Sequence, residues 1–354
     1  MKSLGRILFF VAIFLAVGFY VNHDETPEKD TLIREEPVPE PAGQSKLEKR
    51  TGYEIPPRPQ EGLSTLIGKP LKEVEKILGK PNRIDKSSYD YDWHVYNEEL
   101  DKYVQVGIQN DKVVTIYAIG PETDINPFAI GQPLEEIFAA FAIQTDIVID
   151  YEGNSYRLEL TDTDVNTRPL IQFGDIYAQL YIDKFTSSLS SVRFLNAETL
   201  IKHRPYEIAY RGKLLEAKPL TDMDWQKVEA GSEQQIFDLT NVIRQRHELE
   251  PLQWDERTAQ VAYSHSLDMY ETNTFSHESE KYGKLTDRLK RALVVYQTAG
   301  ENIAANYTDG PSAVEGWLNS KGHREALLDE DFTHLGVGVY KKYYTQNFIQ
   351  TWVE

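Results

Sequence analysis

Phe275-Ser276-His277, Gly300-Glu301-Asn302, Trp317-Leu318-Asn319-Ser320-Lys321-Gly322-His323-Arg324 and Tyr343-Tyr344-Thr345-Gln346-Asn347-Phe348 follow one another in the last part of this chain. Two histidines and a glutamate, each on a separate segment, are residue types that exchange protons and bind metals. The stretches around them have regular periods. Ser232 reads as an N-cap with Gln235 at the capping-box position, and Ile236, Leu239, Ile243 and His247 fall on one stripe. Pro251-Leu252-Gln253-Trp254-Asp255 breaks that helix. A second helix runs from Asp255 or Thr258 to about Thr272, with Ala259, Ala262, Tyr263, Ser266, Met269 and Tyr270 inside. Short strands are expected near Gly300 to Ala304, Gly336 to Tyr340 and Asn347 to Val353, with a helix around Ser312 to Asn319. Helices enclosing a small antiparallel sheet make an α-β-α sandwich.

The order of these four signatures resembles the CAP superfamily of cysteine-rich secretory proteins, venom antigens and pathogenesis-related proteins. The resemblance runs from about Ser232 to Glu354 and implies that sandwich, with a central cleft walled by two histidines and two acids. Matched by motif, His277 takes the first histidine, Glu301 the first acid and His323 the second histidine. Ser320 stands where the animal and plant members carry a glutamate, three residues after Trp317. Glu315, two residues before Trp317, is expected to point elsewhere on its helix. Asn302 and Ser320 complete the candidate ligand-binding cleft with His277, Glu301 and His323.

The region before this domain contains a repeat. Ile67-Gly68-Lys69-Pro70-Leu71-Lys72-Glu73-Val74 returns as Ile130-Gly131-Gln132-Pro133-Leu134-Glu135-Glu136-Ile137. Proline fits the first turn of a helix, so each copy is expected to open one. Leu71, Val74, Ile77 and Leu78 form the apolar face in the first copy, and Leu134, Ile137, Phe138 and Phe141 in the second. Strands are expected at 103–108, 113–117, 178–182 and 191–195, with a hairpin turn at Asn110-Asp111-Lys112. Gly-x-Pro-Leu is explained by glycine stopping a strand and proline starting a helix. Tyr89, Tyr91, Trp93 and Val95 alternate as one core face of a strand. This region is similar to the domain that accompanies CAP domains in exported Bacillus-type proteins. The fold expected is α+β: a two-repeat domain over 62–199, a connector over 200–231 and the CAP-type sandwich over 232–354, which carries its own apolar faces and is expected to fold by itself.

Lys2 and Arg6 precede fifteen uncharged residues, Ile7 to Val21. Residues 1–21 therefore read as a signal peptide or signal anchor, with the N-terminus inside and the rest outside. Seven of the seventeen prolines and ten acids fall in residues 22–61, a composition that buries too little apolar surface to fold and makes a disordered tether. The chain has no cysteine. An export signal without disulfides fits a Gram-positive envelope, either on the outer face of the cytoplasmic membrane or in secreted form. A net charge of −18 speaks against nucleic acid as a partner.

Enzyme signatures are sparse. His277-Glu278-Ser279-Glu280-Lys281 and His247-Glu248-Leu249-Glu250-Pro251 lack the second histidine of a zinc-protease helix, and no Gly-x-Ser-x-Gly elbow occurs. His265 and Ser266 read as packed helix residues. The expected function is a non-enzymatic envelope module that binds a lipid, a wall glycan or a peptide. The alternative is a metal-assisted hydrolase of wall peptide or protein, in which His277 and His323 hold Zn²⁺ or another divalent cation and Glu301 is the base. Because two histidines alone bind weakly, a tight metal site requires Glu301 as a direct ligand.

Overall fold

Each copy of the repeat builds the same corner. Gly68 N–H donates to Val113 O (2.8 Å) and Val113 N–H to Lys69 O (2.9 Å). In the second copy Gly131 N–H donates to Leu189 O (2.8 Å) and Leu189 N–H to Gln132 O (2.9 Å). The helices that follow are α1 (Leu71–Leu78) and α2 (Leu134–Ala140). Both are too short to bury a wide face. Val74 and Ile137 are fully buried, whereas Ile77 and Phe138, expected inside, are 63% and 39% exposed.

The computed structural model describes residues 54–352; the export segment and residues 22–53 of the expected tether lie outside the described residues. The last tether residues pack down: Gly174 N–H donates to Pro56 O at 2.8 Å, and Arg58 pairs with Asp175 at 2.6 Å. Ordered contacts thus begin before residue 62.

The first half supplies strands β1 (Arg83–Lys86), β2 (Asp92–Tyr96), β3 (Val104–Gln109) and β4 (Lys112–Ala118). The second supplies β5 (Asp146–Tyr151), β6 (Asn154–Glu159), α3 (Asp162–Thr167), β7 (Leu170–Phe173), β8 (Ile176–Asp183), β9 (Ser188–Asn196) and α4 (Ala197–His203). Seven strands pair in the order β1-β2-β3-β4-β9-β8-β7, so the last strands of the two halves meet antiparallel at the centre. The expected turn is present, with Asn110 and Asp111 both at positive φ, as a two-residue hairpin favours. The stretch expected to connect the domains contains the end of α4 and all of β10 (Glu207–Arg211), which pairs with β6 in a second sheet, β10-β6-β5.

The C-terminal region consists of α5 (Asp222–Arg246), β11 (Gln253–Trp254), α6 (Glu256–Thr272), α7 (Leu285–Arg291), β12 (Ala299–Ala305), α8 (Gly310–Leu318), α9 (Lys321–Leu327), β13 (His334–Tyr340) and β14 (Tyr343–Ile349). Its sheet runs β11-β13-β14-β12. Strand alternation assigns the two faces. Leu335, Val337 and Val339 pack with Ile236, Leu239 and Val314 of α5 and α8. On the other face a Cβ on Gly338 would lie 1.8 Å from Tyr263 N, so α6 lies directly on the sheet. Ser266 Oγ closes that contact with a 2.8 Å bond to Gly338 O. Helices on both faces give the α-β-α sandwich. Tyr270, expected inside α6, is 46% exposed and stacks near Tyr340.

Helix α5 starts at Asp222, ten residues before the expected N-cap. Thr221 and Asp224 form the capping box, with Asp224 N–H donating to Thr221 Oγ1 at 3.2 Å. Ala230-Gly231-Ser232 looks like a helix boundary, but Gly231 is needed for a crossing: its Cβ would stand 2.8 Å from Asp85 Cβ. Ser232 is buried at that crossing.

The crossing joins two domains over a common core. One face of the seven-stranded sheet is covered by α1 and α2. The other presents Trp93, Val95, Tyr117 and Tyr181, with Tyr89 and Tyr91 of the β1–β2 connection beside them, to Ile236, Ile243, Val314 and Trp317. The aromatics expected on one strand face are buried, in a core shared with the next domain, but only Trp93 and Val95 lie on β2; Tyr89 and Tyr91 precede it in the β1–β2 connection.

Candidate functional site

The cleft is assembled by β12. Successive residues of a strand face opposite ways, and Glu301 and Asn302 use this to fix two walls. Glu301 turns toward α6 and α7. His277, in the loop between those helices, places Nδ1 3.0 Å from Glu301 Oε1. A carboxylate only accepts, so Nδ1 carries the proton and Nε2 is free to accept or ligate. Asn302 turns the other way: its Nδ2 donates to His323 O (3.1 Å) and to Gln346 Oε1 (3.2 Å), and Gln346 continues to Thr240 Oγ1 at 2.7 Å. The Gly-Glu-Asn motif therefore positions both histidines, one through a side chain and one through its backbone. Their ring centroids lie 6.3 Å apart.

Two groups that sequence reading did not place in the cleft complete the site. Arg288 of α7 lies over Glu301 with NH1–Oε2 at 3.0 Å and NH2–Oε1 at 3.0 Å, and NH2 also donates to His277 O at 3.0 Å. The two side chains are 5% and 4% exposed. Burial works against a charge on Glu301, yet the His277 bond and the Arg288 guanidinium outweigh it and hold the carboxyl below its usual range. His265, 1% exposed on the inner stripe of α6 as expected, places Nε2 3.8 Å from Glu301 Oε1. Its pKa is pushed down to about 4, mainly by burial, so it is neutral at physiological pH. Arg288 was legible as a charged residue three after Leu285 and next to Leu289, on the face that α7 buries.

His323 stands on α9, and its pKa is lowered by burial and by His277 nearby. The α9 wall is held from the preceding domain. Asn319 Nδ2 donates to Ile182 O (2.7 Å) and Asn319 Oδ1 accepts from Lys184 N–H (2.8 Å), while Arg324 reaches Asp183 Oδ2 at 2.9 Å. Ser320 is the N-cap of α9, but its side chain makes no capping bond and no hydrogen bond to His277, Glu301 or His323 among the described residues. Glu315 points away from the cleft, as expected. It is buried against the seven-stranded sheet, where Tyr117 Oη (2.9 Å), Ser191 Oγ (2.5 Å) and Ser190 Oγ (3.3 Å) donate to Oε1.

The donor set suits a two-imidazole metal site with Glu301 behind it. A carboxylate that orients a histidine through its second nitrogen is a common outer shell of metal centres. Glu301 Oε1 already accepts from His277 and Arg288 and Oε2 faces Arg288 NH1, an arrangement that serves an orienting carboxylate better than a direct third ligand. No group of three His, Cys, Asp or Glu residues is placed to hold a metal ion among the described residues. The arrangement is thus a polar cleft with one solvent-facing imidazole, His277, 57% exposed, beside a buried ion pair. No helix among the described residues is long and apolar enough to cross a membrane.

Comparison with known proteins gives two family matches: the CAP-associated N-terminal model over residues 67–206 and the cysteine-rich secretory protein family model over 237–353. The chain is 50% identical over 355 residues to an uncharacterized membrane protein, YlbC, of Bacillus subtilis (strain 168), covering 99% of this chain and 100% of the relative. A second protein of that organism, the uncharacterized YkwD, is 42% identical over 119 residues, 33% of this chain and 46% of its own length. Among solved structures, an extracellular protein containing an SCP domain from Bacillus anthracis is 44% identical with a TM-score of 0.79, covering 86% of this chain and 100% of that one. A cysteine-rich secretory protein from Staphylococcus aureus is 28% identical with a TM-score of 0.75, covering 84% and 98%.

Proposed function

The chain belongs to the cysteine-rich secretory protein (CAP) family, with a CAP-associated domain before the CAP domain, and from that membership we propose that it is an exported envelope protein whose cleft is a non-enzymatic binding module. The observation that carries this reading is the state of Glu301. A general base works with a pKa near the operating pH and a free lone pair. Glu301 is held ionised below the ordinary range, with Arg288 across both oxygens and His277 on one. Such a carboxylate orients an imidazole and gives up little basicity. The ligand would be a lipid, a wall glycan or a peptide that meets His277 Nε2 and His323.

Export is supported by the uncharged run Ile7–Val21 and by relatives described as a membrane protein and as an extracellular protein. Retention by that run, rather than cleavage, is the reading we adopt. The test is incubation of the full chain with purified Gram-positive wall and with peptide substrates, with and without Zn²⁺, while NMR follows the His277 and His323 ring signals. The expected result is ligand-dependent shifts of those signals and no released product. Zn²⁺-dependent product release that Glu301→Gln abolishes would overturn the module in favour of a metal-assisted hydrolase.

A further inference from the structure

The outer side of helix α7 and its flanks are basic. Residues 281–291 hold five cations, Lys281, Lys284, Arg288, Lys290 and Arg291, and one acid, Asp287, in a chain whose net charge is −18. Arg288 faces inward to Glu301, and Asp287 accepts from Lys284 N–H at 3.1 Å. The other four cations are solvent-facing and form no ion pair among the described residues; Lys281 and Arg291 instead flank the Tyr282 ring at 4.8 and 5.8 Å.

Directly beyond α7 the backbone turns through Leu293 at φ +57°. Val294 N–H donates to Leu289 O at 3.0 Å and Leu293 N–H to Lys290 O at 3.1 Å, the helix-ending turn in which glycine is the usual residue. Val294 packs inward against Leu289 and Val261. Its two neighbours therefore face outward, and Leu293 and Val295 are 75% and 73% exposed. A strained conformation occupied by a large apolar side chain that touches water points to a purpose at that place. Gln297 N–H donates to Gln350 O at 2.8 Å, which brings Trp352, 65% exposed, to the same end of the sheet.

We propose that Leu293 and Val295, rimmed by Lys284, Lys290 and Arg291, are a docking face for an anionic lipid bilayer. Apolar side chains entering the headgroup layer beside a ring of Lys and Arg are the pattern of interfacial membrane binding. Tryptophan is favoured at that depth. The proposal rests on the exported reading, since a chain held to the membrane at its N-terminus meets lipid at high effective concentration.

The absence of cysteine gives a clean test. The full chain carrying Val295→Cys, labelled with an environment-sensitive fluorophore, is mixed with vesicles of phosphatidylcholine alone or with phosphatidylglycerol. A second preparation carries Ile77→Cys and the same label, at an exposed position in the other domain. Flotation separately reads whether the N-terminal segment holds the protein on vesicles. The expected result is a blue shift of the Val295→Cys label on phosphatidylglycerol, reversed by salt, and none of the Ile77→Cys label. Leu293→Gly relieves the strained φ and keeps the fold. It should lower the ratio of docked to undocked protein on the order of tenfold, the loss expected for one leucine side chain. A Val295→Cys label that stays in water on anionic vesicles, or a shift unchanged by Leu293→Gly, overturns the docking face. Failure to float on phosphatidylcholine vesicles in high salt, where docking is screened, while the Val295→Cys label still shifts on phosphatidylglycerol vesicles in low salt would count against the anchor alone.

Discussion

Glu301 and Glu315 belong to the same domain and are almost equally removed from water, yet their surroundings oppose each other. In the cleft, Glu301 is met by a guanidinium and an imidazole, and its pKa is depressed. In the interface between domains, Glu315 is met by hydroxyls. Burial pushes its pKa up, against the Ser191 and Tyr117 bonds and the Arg246 charge nearby. The cleft thus holds an ion pair beside an exposed histidine, whereas the interface leans on neutral hydrogen bonds and aromatic packing. A carboxylate's position on a helix or strand does not fix its charge; the donors opposite it do.

The contrast predicts that separating the domains costs more than any change in the cleft. Residues 222–354, which contain all of α5, would lose the side of the shared core formed by Trp93, Tyr117 and Tyr181, and would leave Glu315 without Tyr117 and Ser191 and Asp309 without Arg193. The fragment is expected to lose near-ultraviolet circular dichroism and a cooperative transition, although its motifs led us to expect independent folding from residue 232. A sharp unfolding transition for the fragment, with stability near that of residues 54–354, would break the comparison. Next in size is Arg193→Met. Arg193, fully buried on β9, donates to Asp309 Oδ1 at 2.8 Å across the interface. Removing one member of a buried pair leaves the other charge uncompensated, so a loss of about 3–5 kcal/mol is expected in urea unfolding. A loss below about 1 kcal/mol would show that water reaches Asp309.

The two glutamates should then respond to pH with opposite signs. Glu301 has a depressed folded pKa, so its stabilisation is present above the unfolded value of about 4.3 and is lost as pH falls through the folded pKa. Glu301→Gln should cost about 2–3 kcal/mol at pH 7, since Arg288 is left facing a neutral amide, and should flatten the acid limb of the stability profile. Glu315 has a raised folded pKa. Its favourable contribution is present below about 4.3 and is lost as pH rises through the folded value. Glu315→Gln keeps an acceptor for Tyr117 and Ser191, and should be within about 1 kcal/mol of wild type or more stable at pH 7. Parallel acid limbs in the two variants, measured by thermal melts from about pH 2 to 8, would show that both acids are ionised alike.

How much of this was legible depended on whether a contact follows local period. The strands at 104–109, 112–118, 176–183 and 188–196 were found nearly at their borders, because alternation and a two-residue turn specify them locally. His277, Glu301 and His323 came from motif order, and the structure brings them together. The start of α5 was misplaced because Gly231 serves a crossing with Asp85, a contact between distant residues that leaves no periodic mark. Arg288 was overlooked for a similar reason. A cation on an apolar stripe is ambiguous until its buried acid is known. The shared core of Trp93, Tyr117 and Trp317 was legible only in part: burial was expected for the first, but nothing in local sequence names the partner that buries it.

The smallest effect on stability, and the sharpest test of the cleft, is at His277. Its side chain is 57% exposed, so His277→Ala should change unfolding free energy by no more than about 0.5–1 kcal/mol. Zn²⁺ binding by calorimetry should respond much more. With Glu301 turned to Arg288, only His277 and His323 remain as protein ligands, so wild-type affinity should be weak and should fall as pH drops through the lowered pKa of His323, where a proton competes with the metal. Loss of His277 removes half of that set and should abolish measurable binding, while Asp183→Ala, which frees Arg324 and loosens α9, should weaken it less. Glu301→Gln separates the two views of the carboxylate. If Glu301 orients His277 from behind, the amide should lower Zn²⁺ affinity about 10–100-fold without eliminating it. If Glu301 breaks from Arg288 to ligate directly, binding should disappear as completely as in His277→Ala, and the cleft would then hold a three-ligand metal with an open position, the chemistry of a hydrolase.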